Sequence, residues 1–338
     1  MARARMTLTR STGASIEGGL RAIAGRIDAS ATGISGLQRL SGGATQEIWC
    51  FDIETPARDD KRYILRRAPG GTRITDGTGL ELEAELMAAA AKAGVPVAEV
   101  MHVLSPEDGL GHGFIMRFVE GETLGGRIVK SDHLRAARQT LAFECGETLA
   151  RLHRIPAGDF PTLARATPAE LVERTRIVYA RTTIRRPVFD LAFRWLTDNA
   201  PPVPAEPKLV HGDFRNGNLM IGPDGLRAVL DWELAHVGDP MEDLGWICVN
   251  SWRFGRIDLP VGGFGTLDDL LAGYELISGS RLDRSAVHWW EVYGTIRWGA
   301  ICAASVEAFR GEDATMERAM IARRTSETEI DLLRLIAS

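Results

Sequence analysis

The chain has 338 residues, 45% of them hydrophobic and 25% charged, a globular composition that suits two domains or lobes and excludes disordered and collagen-like chains. Its 40 Lys plus Arg are outnumbered by 45 Asp plus Glu, and a net charge of -5 argues against a nucleic-acid footprint built on basic excess. Cys50, Cys145, Cys248 and Cys302 stand far apart without a C-x-x-C pair, so no zinc cluster or thioredoxin-like motif is expected. The basic start MARARMTLTR runs into STGASIEGG without an apolar signal core, and no stretch approaches the roughly 20 apolar residues of a membrane helix. A soluble, cytoplasmic protein with free thiols and no membrane or nucleic-acid partner is the expectation.

In chain order, ISGLQRL, EIWCFDIE and RYILRRA, separated by SGGATQ and TPARDDK, predict three antiparallel strands over residues 34–67. LELEAELMAAAAKAG predicts one helix over 81–93, stopped by Gly94 with Pro96 beyond. VAEVMHVL and GFIMRFVE read as a further hairpin, and the composition changes near Val119, which divides the chain into 1–119 and 120–338. DHLRAARQTLAFECGETLARLHRI predicts a long buried helix with Leu134, Leu141, Cys145, Leu149 and Leu152 along one stripe. After the connection PPVPAEP comes KLVHGDFRNGNLMIGPDGLRAVLDWELAHVGDPMEDLGW, and helical patterns then resume in LDDLLAGYELI, HWWEVYGTIRWGAICAASVEAF and MERAMIARRTSETEIDLLRLI.

Chemistry concentrates in HGDFRNGNLMIGPDGLRAVLDWE. A loop with Asp213 and Asn218 enters strand LMI, turns through GPDG and returns along LRAVL, so the hairpin sets Asp231 beside Asn218. An Asn carbonyl and an Asp carboxylate suit a hard cation such as Mg2+, which fills its other positions with water and substrate phosphates. Asp213, five residues before Asn218, can accept the proton of a hydroxyl nucleophile. Asp and Asn are also ordinary turn formers, but that role does not account for a base, two ligands and a hairpin in this order.

HGDFRNGN followed by LDWE and GDPMEDLGW resembles the aminoglycoside phosphotransferase and choline kinase family, the small-molecule branch of the protein-kinase-like fold. The resemblance implies an α+β, bilobal fold: a small antiparallel β-rich nucleotide-binding N-lobe with one helix, and a larger, mainly helical catalytic and substrate-binding C-lobe. It implies Asp213 as catalytic base, Asn218 and Asp231 as Mg2+ ligands, His211 as loop organiser, and Asp239 and Asp243 as structural. Ser41, Gly42 and Gly43 resemble the nucleotide-covering loop, which is not a Walker A loop because GKS or GKT is absent. Arg66 stands where many kinases carry a phosphate-holding Lys, and its planar fork preserves that role chemically. Glu83 matches the helix glutamate that would pair with Arg66, with Glu81 and Glu85 nearby. Met116, Arg117, Phe118 and Val119 resemble the hinge and would offer backbone groups to adenine. Arg215 is open between contact with the transferring phosphoryl group and holding the loop's own carboxylates.

From Trp232 onward 17 Asp plus Glu face 10 Lys plus Arg, and Trp232, Trp246, Trp252, Trp289, Trp290 and Trp298 lie there, so ammonium-bearing acceptors are compatible, although core packing explains most of these rings. The chain is similar to stand-alone bacterial phosphotransferases and to kinase domains fused to acyl-CoA dehydrogenases, which implies hydroxyacyl or other small hydroxylated acceptors. The expected activity is Mg2+-dependent transfer of the γ-phosphate of ATP or GTP to a small-molecule hydroxyl. The alternatives are a nucleotide-binding module without transfer, and a metal hydrolase with His211, Asp213 and Asp231 as ligands.

Overall fold

The computed structural model describes residues 13–42, 46–57, 61–68, 78–311 and 314–337. The chain divides into two compact units, Met1–Ala91 with Val97–Val119 and Lys92–Pro96 with Glu120–Ser338.

The first unit opens with helix α1 (Gly13–Ile27), which sequence reasoning did not anticipate because four glycines weaken its helical propensity. Ile16, Leu20, Ile23 and Ala24 recur at helical spacing and are buried against Phe51, Ile53, Tyr63 and Leu65. Burial of each large apolar side chain contributes about 2 kcal/mol, against about 1 kcal/mol lost per interior glycine, so tertiary packing decides the helix. Strands β1 (Gly33–Gly42), β2 (Glu47–Glu54) and β3 (Lys61–Ala68) follow, then α2 (Leu80–Lys92), β4 (Val100–Val103) and β5 (His112–Arg117). They form one five-stranded antiparallel sheet in the order β1-β2-β3-β5-β4. Side chains alternate across β3: Tyr63 and Leu65 join the core under α1, while Arg66 falls on the other face.

The second unit begins with α3 (Gly125–Ile128) and α4 (Leu141–Leu152). The helix expected from Asp132 is shorter than its pattern, with residues 132–134 and 137–139 forming single 3-10 turns. Arg138 bends back to donate to the carbonyls of Ile128 and Ser131, both at 2.8 Å, which folds this stretch toward α3. Helices α5 (Pro168–Ala180) and α6 (Pro187–Asp198) precede strands β6 (Lys208–Val210), β7 (Leu219–Gly222), β8 (Gly225–Val229) and β9 (His236–Gly238). Then come α7 (Met241–Cys248), α8 (Leu267–Ser278), α9 (Arg284–Arg310), α10 (Met316–Ala322) and α11 (Thr325–Ala337). Strands β6 and β9 pair, as do β7 and β8, each antiparallel. Phe189, Phe193, Trp289, Trp290, Tyr293, Ile296 and Leu332 knit α6, α9 and α11 into one core. Among the described residues no helix is long and apolar enough to cross a membrane.

Candidate active site

The loop 211–218 joins β6 to β7, and buried groups hold it from below. Asp243, three residues into α7 and fully buried, accepts the backbone N–H of His211 at 2.8 Å and of Gly212 at 2.9 Å. His153, just past α4, approaches the same carboxylate through Nε2 at 3.1 Å and Tyr274 Oη of α8 through Nδ1 at 3.0 Å. Burial alone would raise the Asp243 carboxyl; the His153 hydrogen bond and charge, with the backbone N–H of His211, outweigh it and keep the group below the usual carboxylate value. Asp243 therefore remains an anion that draws two consecutive amides together. Gly212 is needed at the turn: its φ is 77°, and a Cβ there would lie 2.5 Å from the Leu234 carbonyl oxygen.

His211 is fully buried, and both of its ring nitrogens are engaged. Nε2 lies 3.1 Å from the Leu230 carbonyl and so carries the proton, which leaves Nδ1 to accept the Asp213 N–H at 3.2 Å. Burial lowers this imidazole below its ordinary 6.5, against the pull of the Asp243, Asp213 and Asp231 carboxylates. A neutral ring used at both nitrogens has no lone pair for a transition metal, which removes the geometry the hydrolase alternative requires.

Asp213 carries three hydrogen bonds on its carboxylate. Oδ1 accepts from Trp246 Nε1 at 2.7 Å and from Arg215 Nε at 3.0 Å, and Oδ2 accepts from Asn218 Nδ2 at 2.6 Å. Arg215 thus holds the loop's own carboxylate, and its guanidinium lies 4.5 Å from the Trp252 ring centroid. Trp246 and Arg297 are the members that sequence reasoning missed as site residues. Arg297 of α9 donates to the Gly212 carbonyl at 3.0 Å and covers the Trp246 ring at 4.6 Å. The signal for Trp246 was its spacing, since D-x-x-W on a helix puts Asp243 and Trp246 on one face; nothing in the sequence announces Arg297.

The hairpin brings Asn218 and Asp231 together as its pattern suggests: Leu219 is paired with Val229, and the Leu230 N–H donates to the Asn218 carbonyl at 2.8 Å. Asp231 follows with φ 66°, a left-handed conformation that Asp tolerates better than most residues. Because Asn218 Nδ2 is committed to Asp213, its Oδ1 is the atom left to face a cation. This pair of hard oxygen donors fits Mg2+. Among the described residues no group of three or more His, Cys, Asp or Glu is arranged to hold a metal, so a cation here would draw most of its ligands from phosphate and water.

Of the proposed structural aspartates, Asp239 accepts from Met241 N at 2.9 Å and Trp290 Nε1 at 3.1 Å. The tryptophans divide by environment. Trp232 lies buried against His211, and Trp289 and Trp290 belong to the helical core. Trp246, Trp252 and Trp298 each carry a guanidinium, from Arg297, Arg215 and Arg324, within 4.5 to 6.0 Å of the ring centroid. A face covered by arginine is closed to an ammonium ligand on that side.

In the first unit, Arg66 Nη1 lies 2.9 Å from Glu83 Oε2 of α2, and Arg66 Nε donates to Gln46 Oε1 at 3.0 Å. Glu83 is fully buried, and Glu81 instead meets exposed His112. Ser41 and Gly42 end β1, paired with Ile48 and Glu47, and Gly43 lies outside the described residues. Met116 and Arg117 close β5; the N–H groups of Arg117 and Phe118 donate to Glu99 O at 2.9 Å and Arg62 O at 3.0 Å, and Val119 follows them.

Comparison with known proteins identifies the family. Residues 36–277 match the phosphotransferase enzyme family. Acyl-CoA dehydrogenase family member 11 of Gallus gallus is 31% identical over 216 residues, which cover 61% of this chain and 27% of that protein, so the chain spans about a quarter of this relative's length. A Ralstonia eutropha JMP134 crystal structure, described as a candidate aminoglycoside phosphotransferase, superposes with a TM-score of 0.72 at 23% identity over 96% of this chain and 98% of that one. The aminoglycoside phosphotransferase APH(4)-Ia, in ternary complex with AMP-PNP and hygromycin B, superposes with a TM-score of 0.60 at 16% identity over 96% and 98%. The chain belongs to the phosphotransferase enzyme family and has the protein-kinase-like fold.

Proposed function

We propose that the protein is a Mg2+-dependent kinase that moves the γ-phosphate of ATP to a hydroxyl of a small molecule. Asp213 is the base and Asn218 and Asp231 are the metal ligands; Arg66, ordered by Glu83, holds phosphate. The observation that carries this reading is the Asp213 carboxylate, hydrogen-bonded by Asn218 at the mouth of the hairpin that delivers Asp231. Asp213 takes the hydroxyl proton as the acceptor oxygen bonds to the γ-phosphorus and the bond to the β-phosphate oxygen breaks. Bound Mg2+ would neutralise charge on the phosphates. Arg66 adds a permanent cation, and its ion pair with Glu83 gives no support to a module without transfer activity. The Arg117 and Phe118 N–H groups are used inside the sheet, so adenine contacts within Met116, Arg117, Phe118 and Val119 would fall to the other backbone groups of that segment. AMP-PNP in a similar structure favours ATP over GTP.

The acceptor we favour is a hydroxyacyl thioester or a related hydroxylated small molecule ahead of an aminoglycoside. Two observations support that order: arginines lie over one face each of Trp246, Trp252 and Trp298, and a similar protein is named acyl-CoA dehydrogenase family member 11. The test is transfer from γ-labelled ATP, with Mg2+, across hydroxyacyl thioesters, amino alcohols and aminoglycosides. Asp213→Asn is expected to lower kcat about a thousandfold, the scale of general-base contributions. Wild-type turnover in that variant would remove Asp213 from the role. Asp231→Ala is expected to abolish the response to Mg2+ in the same assay with the fold retained, and an unchanged Mg2+ titration would contradict its assignment.

A further inference from the structure

We propose that Trp246 is a positioning residue that assigns the base role to one oxygen of Asp213, a claim that rests on Asp213 being the base. A carboxylate offers about two acceptor directions at each oxygen. At Asp213 the indole of Trp246 and the Nε of Arg215 fill both directions at Oδ1, at 2.7 and 3.0 Å. Asn218 fills one direction at Oδ2, at 2.6 Å. The remaining direction at Oδ2 is where the hydroxyl proton goes, beside the amide whose Oδ1 is the proposed metal ligand.

The indole itself is pinned from several sides. Trp246 is buried one helical turn beyond Asp243, so the residue that draws the loop amides in and the residue that orients the base stand on the same face of α7. Arg297 lies over its ring at 4.6 Å and the Trp252 ring packs at 5.3 Å with a 58° tilt. Gly294 of α9 makes the space, since a Cβ there would lie 2.9 Å from Trp246 Cε3. A side chain held this way cannot follow the carboxylate if it turns, so its N–H direction sets that of Oδ1.

The first experiment uses Trp246→Phe, which keeps the ring and deletes the N–H, and follows phosphate release from Mg-ATP with water as the acceptor. The expected result is kcat lowered about tenfold with the KM for ATP unchanged, the consequence of losing one hydrogen bond to a charged group. Wild-type kcat, or a loss confined to KM, overturns the proposal. If Asp213→Asn also keeps the wild-type rate, the base assignment itself has failed; if Asp213→Asn is inactive while Trp246→Phe is unaffected, only the role of Trp246 has. A second measurement does not depend on Trp246→Phe folding. Of the eight tryptophan indole N–H signals of the labelled wild-type protein, those of Trp232, Trp246, Trp289 and Trp290 are expected to be protected from solvent exchange, and that of Trp246 is expected to lose its protection in Asp213→Ala. Indole signals that are indifferent to Asp213→Ala overturn the proposal as well.

Discussion

Glu83 in the first unit and Asp243 in the second are both fully buried carboxylates, and they are stabilised by different means. Glu83 faces the guanidinium of Arg66, a full opposite charge supplied by the neighbouring strand. Asp243 is satisfied by the His153 imidazole together with two main-chain N–H groups, so backbone dipoles fixed by the fold share the work with a side-chain partner. A buried ion pair fails when one partner is removed, because the other charge is stranded. A buried anion held by backbone amides fails when its own shape or charge changes, and it takes the loop with it.

Substitutions at the two carboxylates test that contrast. The largest effect is expected for Asp243→Asn, whose amide nitrogen would confront N–H donors: a loss of about 3 kcal/mol together with loss of turnover, read by denaturant unfolding and phosphate release. Stability equal to wild type would show that the two amides do not depend on the anion. In the first unit Arg66→Ala is expected to cost about 3 kcal/mol by leaving Glu83 without its guanidinium. Arg66→Ala with Glu83→Gln should recover more than half of that loss, and additive losses in the double variant would deny the coupling.

The smallest effect is on pH dependence, where two histidines near the loop act with opposite sign. His211 has a lowered folded value, so its contribution is complete above its ordinary 6.5 and is lost as pH falls through the depressed value. Burial opposes charge on His236, but Glu242 at 3.0 Å outweighs it and raises the imidazole. The His236 contribution is therefore complete below 6.5 and is lost as pH rises through the raised value. His236→Gln should flatten the alkaline side of a melting temperature against pH curve and leave the acid side in place. A changed acid limb would assign the dependence elsewhere.

Particular residues show how far the chain could be read unaided. Asp213, Asn218 and Asp231 were legible because a loop, a strand, a tight turn and a returning strand are local events, and a hairpin fixes which positions meet. Arg66 and Glu83 were singled out by family resemblance, and alternation along β3 is what turns Arg66 to the face where Glu83 meets it. Helix α1 was not, because its glycines argue against a helix until the sheet is there to bury Ile16, Leu20 and Ile23. The shortened α4 likewise depends on where Arg138 finds its carbonyls.

By itself the order of residues determined which positions the 219–229 hairpin brings together, since that depends on short-range pattern, and through the family resemblance it carried the two-lobed α+β class. Tertiary structure alone decided that Trp246 bonds to Asp213 across 33 positions and that Arg297 covers it across a further 51. It also decided that arginines occupy three of the tryptophan faces. The physical reason is that hydrogen bonds and ring contacts act over a few ångströms, and only the packing of α7 against the 211–218 loop and of α9 against α7 brings Asp213, Trp246 and Arg297 within that range.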